Sequence, residues 1–522
     1  MSSIDVVGPR TSTRDAHRSE PRVTLRKTLL IVALVAAAVL CVAAVLCAKY
    51  WPFSEKAVQE DLAEAADSSV TIRSYHPTYF PSPGCILEGI EFRHGANEFR
   101  LITIDKLIIE GSFSGIFTHH VPRITAAGAR ISIPPFGANT QFHSEHSALV
   151  VDELVANGAK VEFASDDPQQ HPLVFDVREA LLRSVEWGSP IRYQLKFHNP
   201  NPPGEISTEG DFGPWADGHP QDTRMSGTYT FERADLGVYG GIAGILSSTG
   251  KFDGAFRHIN VSGTTDTPDF VVTSGGHQHN LTTRFDAYVD ATHGDTFLNR
   301  VEARIGRTTL IAQGSITGFP GRKGKLADLR FTSRHGRIED VLSLFVTANR
   351  SPMSGDLSLI AHTQVGHGDQ PFLERVKLDG KFGIDEGAFK PETQKDVNAL
   401  SAGARGKNKD DPETVLTDLK GTVDLSGGVA NFHDIAFGVP GATAHLHDTY
   451  NVLNHRINLH GEMKVDTKIS KTSSGAKALL LKIMDPLFRK KRKGEIVPVH
   501  ILGTYEKPQF GLDLANSNEK KK

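Results

Sequence analysis

Beyond residue 66 the chain carries one dominant signal. Apolar residues recur at every second position, in short runs broken by Gly, Pro, Asn and Asp about every ten residues. Successive side chains of an extended chain point to opposite sides, so alternation gives a strand two chemically different faces. Ile102, Ile104 and Leu107-Ile108-Ile109 form one such stretch. Ile124, Ala126, Ala129, Ile131 and Ile133 form the next, closed by Pro134-Pro135. Val161 to Phe163, Tyr193 to Phe197, Tyr229 to Phe231, Phe285 to Val289 and Thr309 to Ala312 continue the pattern. The expectation is a mainly β chain of antiparallel strands with few helices.

The helical candidates are few. Ser54 to Ala66 reads as a short helix, with Ser54 as N-cap and Val58, Leu62 and Ala65 on one face. Gly336 to Thr347 is a second, with Ile338, Val341, Leu342 and Phe345 on one side. Ser474 to Phe488 is a third, either capping the sheet or lying on a lipid surface ahead of the basic run Arg489 to Lys493. Pro200 to Pro220 and Gln394 to Glu413 read as irregular. The stretch Gly263-Thr264-Thr265-Asp266-Thr267-Pro268-Asp269-Phe270 echoes Gly503-Thr504-Tyr505-Glu506-Lys507-Pro508-Gln509-Phe510, which predicts two copies of one β unit.

One segment breaks the alternation. Leu29 to Ala48 is unbroken apolar chain, and about 20 such residues suffice for a helix to cross a bilayer. Arg10, Arg14, Arg18, Arg22, Arg26 and Lys27 precede it, while only Lys49 and Lys56 follow closely. That asymmetry predicts a single-pass anchor with a cytoplasmic N-terminus and the bulk of the chain exported. Leu29, Leu34, Leu40 and Leu46 would face lipid and Trp51 would sit at the exit interface. A cleaved signal peptide fits less well, because its apolar core is typically only about 7–15 residues.

The rest of the composition mostly excludes. The net charge of −3 gives no footprint for nucleic acid. Of three cysteines, Cys41 and Cys47 lie in the apolar run and only Cys85 lies beyond it. Neither an internal disulfide of the exported part nor a zinc site of several thiolates can form. His277 with His279, and His445 with His447, sit at the i, i+2 spacing of one strand face. Neither has a local third ligand, so solvated or groove-lining histidine is the better reading than metal. No nucleophile elbow, phosphate loop or dinucleotide fingerprint occurs; Gly111-Ser112-Phe113-Ser114-Gly115 puts Phe where a nucleophile would stand. No enzyme and no cofactor is expected.

The order of several motifs resembles the AsmA family of Gram-negative envelope proteins. The start is carried by Pro83-Gly84-Cys85-Ile86-Leu87-Glu88-Gly89-Ile90-Glu91-Phe92, the strand Leu101 to Glu110, Gly115-Ile116-Phe117 and Ala127 to Ile133. The C-terminal third is similar to the AsmA-like C-terminal region through Gly421 to Leu425 with Gly428 to Ala430, Phe437 to Ala442 and Ile496 to Thr504. Gly336 to Leu342 is similar to a helix of such chains. The resemblance implies an inner-membrane anchor, a long curved antiparallel sheet of the repeating β-groove type in the periplasm, and a link to lipid transport and outer-membrane assembly. The implied partners are the inner membrane, a phospholipid or other lipid, and other envelope proteins. The implied layout is a basic arm (1–27), the anchor (28–51), an N-terminal β domain (52–270), a C-terminal β domain (271–514) and a basic tail (515–522).

Transfer energetics give a groove its purpose. Exposing acyl chains to water costs about 0.8 kcal/mol per CH₂, so a two-chain lipid faces on the order of 25 kcal/mol. A strand face of alternating apolar residues can replace that hydrocarbon environment. Ile102, Ile104, Ile131, Ile133, Phe285, Val289, Leu378, Phe382, Leu446 and Leu459 are the expected lining. The alternative is a scaffolding protein whose strands close into ordinary sandwiches and whose partners are envelope proteins.

Overall fold

The computed structural model describes residues 52–94, 99–133, 149–163, 172–216, 219–273, 275–318, 324–346, 351–368, 370–389, 417–439, 442–465, 496–504 and 507–512. Strands make up 72% of them and the helices are short. The anchor segment, the Ser474–Phe488 helix and the Gln394–Glu413 loop lie outside the described residues. Among the described residues no helix is long and apolar enough to cross a membrane.

Helix α1 (Glu55–Ala65) starts where its cap predicts: the Ala57 amide lies 3.3 Å from Ser54 Oγ as its donor, and the Val58 amide donates to the Ser54 carbonyl. Val58 is buried and Leu62 half-buried, while Ala65 is exposed. Residues Gln59–Lys522 cluster as one compact unit and Met1–Val58 as another.

The strands then follow almost without interruption: β1 (Ser69–Thr78), β2 (Gly84–His94), β3 (Phe99–Glu110), β4 (His120–Ala127), β5 (Arg130–Ile133), β6 (Val150–Phe163), β7 (Leu173–Val185), β8 (Ile191–Pro200), β9 (Pro203–Phe212), β10 (Arg224–Asp235), β11 (Ile242–Ala243), β12 (Ile245–Ala255) and β13 (His258–Val272). The second half continues with β14 (His279–Asp290), β15 (Asp295–Ile305), β16 (Thr308–Gly318), β17 (Lys325–Arg337), β18 (Met353–Val365), β19 (Val376–Phe389), β20 (Thr417–Ser426), β21 (Val429–Val439), β22 (Ala442–Asn451), β23 (Arg456–Val465), β24 (Ile496–Thr504) and β25 (Lys507–Leu512). Residue 270 lies inside β13, which pairs directly with β14.

From β6 to β10, and from β12 to β25, each strand is antiparallel to the next along the chain, and β10 pairs with β12. This is what short turn signals between alternating runs produce. Between β20 and β21, for instance, Gly427 and Gly428 both take positive φ (56° and 76°), the two-residue turn that only such residues enter readily.

The sheet departs from the expected antiparallel order at one place. β4 and β5 together occupy one ladder position beside β3, broken at Gly128, and both run parallel to β6. A parallel step needs a long connection, and β5 ends at Ile133 while β6 begins only at Val150. The sheet is therefore mixed.

Three local expectations are also corrected. Pro200 to Pro220 is not irregular throughout, because β9 fills Pro203–Phe212; its polar Ser, Thr and Glu hide the alternation. Helix α2 is the short turn Gly115–Thr118, and the Gly336–Thr347 segment yields only α3 (Ile338–Leu342), because Gly336 and Arg337 end β17. Since α3 stops at Leu342, Leu344 and Val346 turn inward and Phe345 is left 43% exposed. The echoed motif does not form the same unit twice. Gly263–Phe270 lies within β13, with Pro268 at a bulge, whereas Gly503–Phe510 spans the β24–β25 turn.

Candidate functional site

Residues opposite each other on paired strands share a face, so the pairing register tells which side chains form one surface. One row can be followed across the whole described sheet. It begins Cys85–Ile109–Ile124–Leu154–Leu182–Tyr193. It continues Gly210–Gly227–Phe252–Val261–Ala287–Leu298–Gly314–Leu329. It ends Thr363–Leu378–Leu425–Ala430–Tyr450–Ile457–Gly503–Pro508. No charged residue occurs in it.

The expected lining residues fall on this same side. Ile102 pairs with Phe92 and Ile131, and Ile104 with Ile90. Ile133 pairs with Phe163, Phe285 with Gly263 and Val301, and Val289 with Ile259. Leu378, Phe382 and Ile384 alternate along β19. Leu446 pairs with Ile435, and Leu459 with Ile501. Leu446 is buried; the other nine are half-buried.

The packing on this face is lateral. Leu357, Ile384, Leu419, Ile435 and Leu446 form a cluster from five consecutive strands, with Phe382, Leu459, Val499 and Ile501 against it. Ala129, Ala159 and Val177 form another, with Ile104, Val161 and Phe197. The rings of Phe163, Phe175 and Phe197 continue it in two edge-to-face contacts, at 5.7 and 5.8 Å. In these clusters, and in a third around Val272, Ile305 and Leu344, the side chains come from neighbouring strands and from Ile338, Val341 and Leu344 at α3.

Glycines on this face lie under aromatic rings. A Cβ on Gly250 would come within 2.8 Å of the Tyr229 ring, one on Gly263 within 3.1 Å of Phe285, and one on Gly421 within 2.9 Å of Phe382. The sequence signal for these pairs was a Gly inside an alternating strand, which marks a close approach. Mid-sheet, hydroxyls share the face. Tyr229 and Ser248 hydroxyls are 3.1 Å apart, Ser248 donates to the Thr264 carbonyl, and Thr265 and Thr283 hydroxyls are 2.7 Å apart. Burial pushes the Tyr193 and Tyr229 phenols up, so both are neutral donors at neutral pH. Burial likewise pushes the Cys85 thiol up to about 12, which leaves it a small apolar side chain.

The opposite face is charged. Lys196 pairs with Glu179, Arg178 with Glu205, and His362 with Asp328. A cavity of about 570 Å³ is lined by residues of both kinds, Gly250, Gly263 and Phe285 together with Lys251, Arg284, Asp286, Arg300 and Glu302. A second, of about 220 Å³, is lined by Leu149, Val151, Trp187, Ile191, Phe212 and Trp215.

His445 and His447 are both exposed on the charged side. His447 and His460 each approach Asp448, at 3.1 and 3.0 Å. His279 shares a hydrogen bond with Ser343 Oγ, and the His277 amide donates to the Ser343 carbonyl. Among the described residues no group of three or more His, Cys, Asp or Glu is placed to hold a metal ion.

One feature escaped the alternation signal because it lies in turns. Tyr79 and Phe80 follow β1, Phe113 and Phe117 follow β3, and all four are exposed. Thr78 pairs with Gly84, and Gly84 with Glu110, so both turns lie at the same end of adjacent strands.

No family model, curated protein or solved structure matches the chain. The likeness to the AsmA family rests on the motif order in the sequence.

Proposed function

We propose that this chain is a membrane-anchored envelope protein of the AsmA type. Its sheet curves into a groove that binds or conducts lipids along its apolar face, in support of outer-membrane assembly or lipid homeostasis. The observation that carries this reading is the uncharged row from Cys85 to Pro508, whose residues pair one to one at each strand-to-strand step although bulges interrupt several of the ladders. An acyl chain moving along such a row meets apolar side chains, glycine backbone and a few uncharged hydroxyls, and no charged residue of the row. Lateral packing supports the same reading: the three clusters draw on ladder neighbours and α3. Along the row Leu154, Phe252, Leu378 and Leu425 keep partial exposure, while Cys85, Tyr193, Ala287 and Ala430 are buried. The glycine–aromatic pairs hold the surface level, since a ring lies where a gap would open.

The test is native mass spectrometry of the full chain extracted in mild detergent. Lipid adducts are expected on the unmodified protein. Leu378→Asp with Leu425→Asp places two carboxylates side by side in the row and should lower lipid occupancy about tenfold, since burying an unpaired charge costs more than 1.4 kcal/mol. Lys381→Glu, on the charged face, should leave occupancy unchanged. A protein that is consistently lipid-free overturns the reading and favours scaffolding.

A further inference from the structure

The turn after β1, residues 79–83, reads Tyr-Phe-Pro-Ser-Pro. The segment after β3, residues 111–119, reads Gly-Ser-Phe-Ser-Gly-Ile-Phe-Thr-His. They are joined directly, because the Gly111 amide donates to the Pro83 carbonyl at 2.8 Å. Phe80 is 86% and Phe117 85% exposed, with Tyr79 at 59% and Phe113 at 54%. Rings as exposed as those of Phe80 and Phe117 add little to a core. Four of them on two adjoining turns form a single apolar prominence.

We infer that this prominence inserts into the interfacial layer of a lipid bilayer. This rests on the lipid-handling reading above and says where the sheet meets its lipid. Three observations choose a bilayer as the occupant. First, the two segments contain no Asp, Glu, Lys or Arg, and His119, which lies near Asp61 of α1, stands only at the end of the second. Second, aromatic rings beside Ser and Pro match the half-wet interfacial layer, where amphipathic rings settle. Third, the turns open directly onto the apolar row: Gly84, Cys85 and Ile109 follow or face them, and Ile124 is the next residue of that row. The row thus begins directly behind the rings, at Cys85, Ile109 and Ile124, which are themselves buried. In the sequence, only about 30 residues separate the apolar run ending at Ala48 from Tyr79, so the turns are tethered within reach of a membrane.

The experiment uses the full chain reconstituted in phosphatidylcholine vesicles, with Cys41→Ala and Cys47→Ala. Cys85 is retained, being buried. A polarity-sensitive thiol dye is attached through Phe80→Cys, Phe117→Cys or, as a control on the charged face, Lys381→Cys. Positions 80 and 117 are exposed enough to accept the dye without disturbing the fold. With brominated acyl chains, emission from positions 80 and 117 should fall about twofold, as expected for groups in the outer ~5–10 Å of the bilayer. Emission from position 381 should not fall. Absence of quenching at 80 and 117, or equal quenching at 381, overturns the inference. Shielding from aqueous iodide without bromine quenching also overturns it, since a protein then covers the rings. The lipid-handling reading is scored separately by native mass spectrometry. Bound lipid without quenching rejects only the membrane contact, and quenching without bound lipid rejects only the carriage.

Discussion

Glu339, the second residue of α3, accepts from three directions. Arg337 Nε lies at 2.8 Å and an Arg307 guanidinium nitrogen at 2.9 Å, while the Gly355 amide donates at 3.2 Å. Asp340 beside it accepts from the Arg307 amide and the Thr308 hydroxyl. Together they pin α3 between β16, β17 and β18. Burial alone would raise the Glu339 pKa, but the hydrogen bonds from Arg337 and from backbone outweigh it and the net shift is downward. A carboxylate with a depressed folded pKa stabilises the fold at any pH above its unfolded value of about 4.3. That stabilisation disappears as pH falls through the lower folded value. Glu339→Gln should therefore lower stability at pH 7 by about 1–2 kcal/mol and flatten the loss between pH 5 and the acid limit. Urea midpoints of both proteins across pH measure this; parallel pH curves would refute the role. Little of it was legible in the sequence, because Arg307 and Gly355 meet Glu339 only through strand register, and Arg337 is its one local partner. The faces of Ile104 and Phe382 were legible, since alternation is a property of adjacent residues.

At the scale of elements, the sheet depends on glycine as much as on apolar bulk. Gly421 sits under the Phe382 ring, with the Asp434 carbonyl 2.9 Å from where a Cβ would stand. Gly421→Val must displace a ring or a strand, and the expected destabilisation is about 1–3 kcal/mol by urea unfolding. Gly427→Val would be harmful for a different reason, its positive φ, which makes it a useful comparison. Strands were readable wherever apolar residues alternate with polar ones. β9 was not, because its polar residues on both faces leave no period. The β4–β6 parallel step was not either, since direction is set by the crossover and not by the strands it joins. The helix expected over Gly336–Thr347 shrank to five residues for a related reason: Gly336 and Arg337 pair with Leu357 and Asp356, and ladder bonds won over helical spacing.

At the scale of the whole molecule, sequence-adjacent strands are spatial neighbours nearly throughout, which makes the sheet close to a one-dimensional array. In such an array each strand is hydrogen-bonded mainly to the two beside it, with α3 adding contacts to more distant strands. Removing two consecutive strands, such as β14 with β15 (residues 279–305), leaves every remaining strand pointing the same way and the oily side unbroken. Removing β15 alone reverses the direction of everything after it. The two-strand deletion should stay folded, with strand content reduced in proportion by circular dichroism, and the single-strand deletion should aggregate. Equal behaviour of the two would mean that distant parts of the sheet hold each other. The row paired step by step from Cys85 to Pro508 thus makes span a matter of arithmetic: hairpins can be spliced in or out like links of a chain, resizing the distance covered without redesigning the surface that covers it.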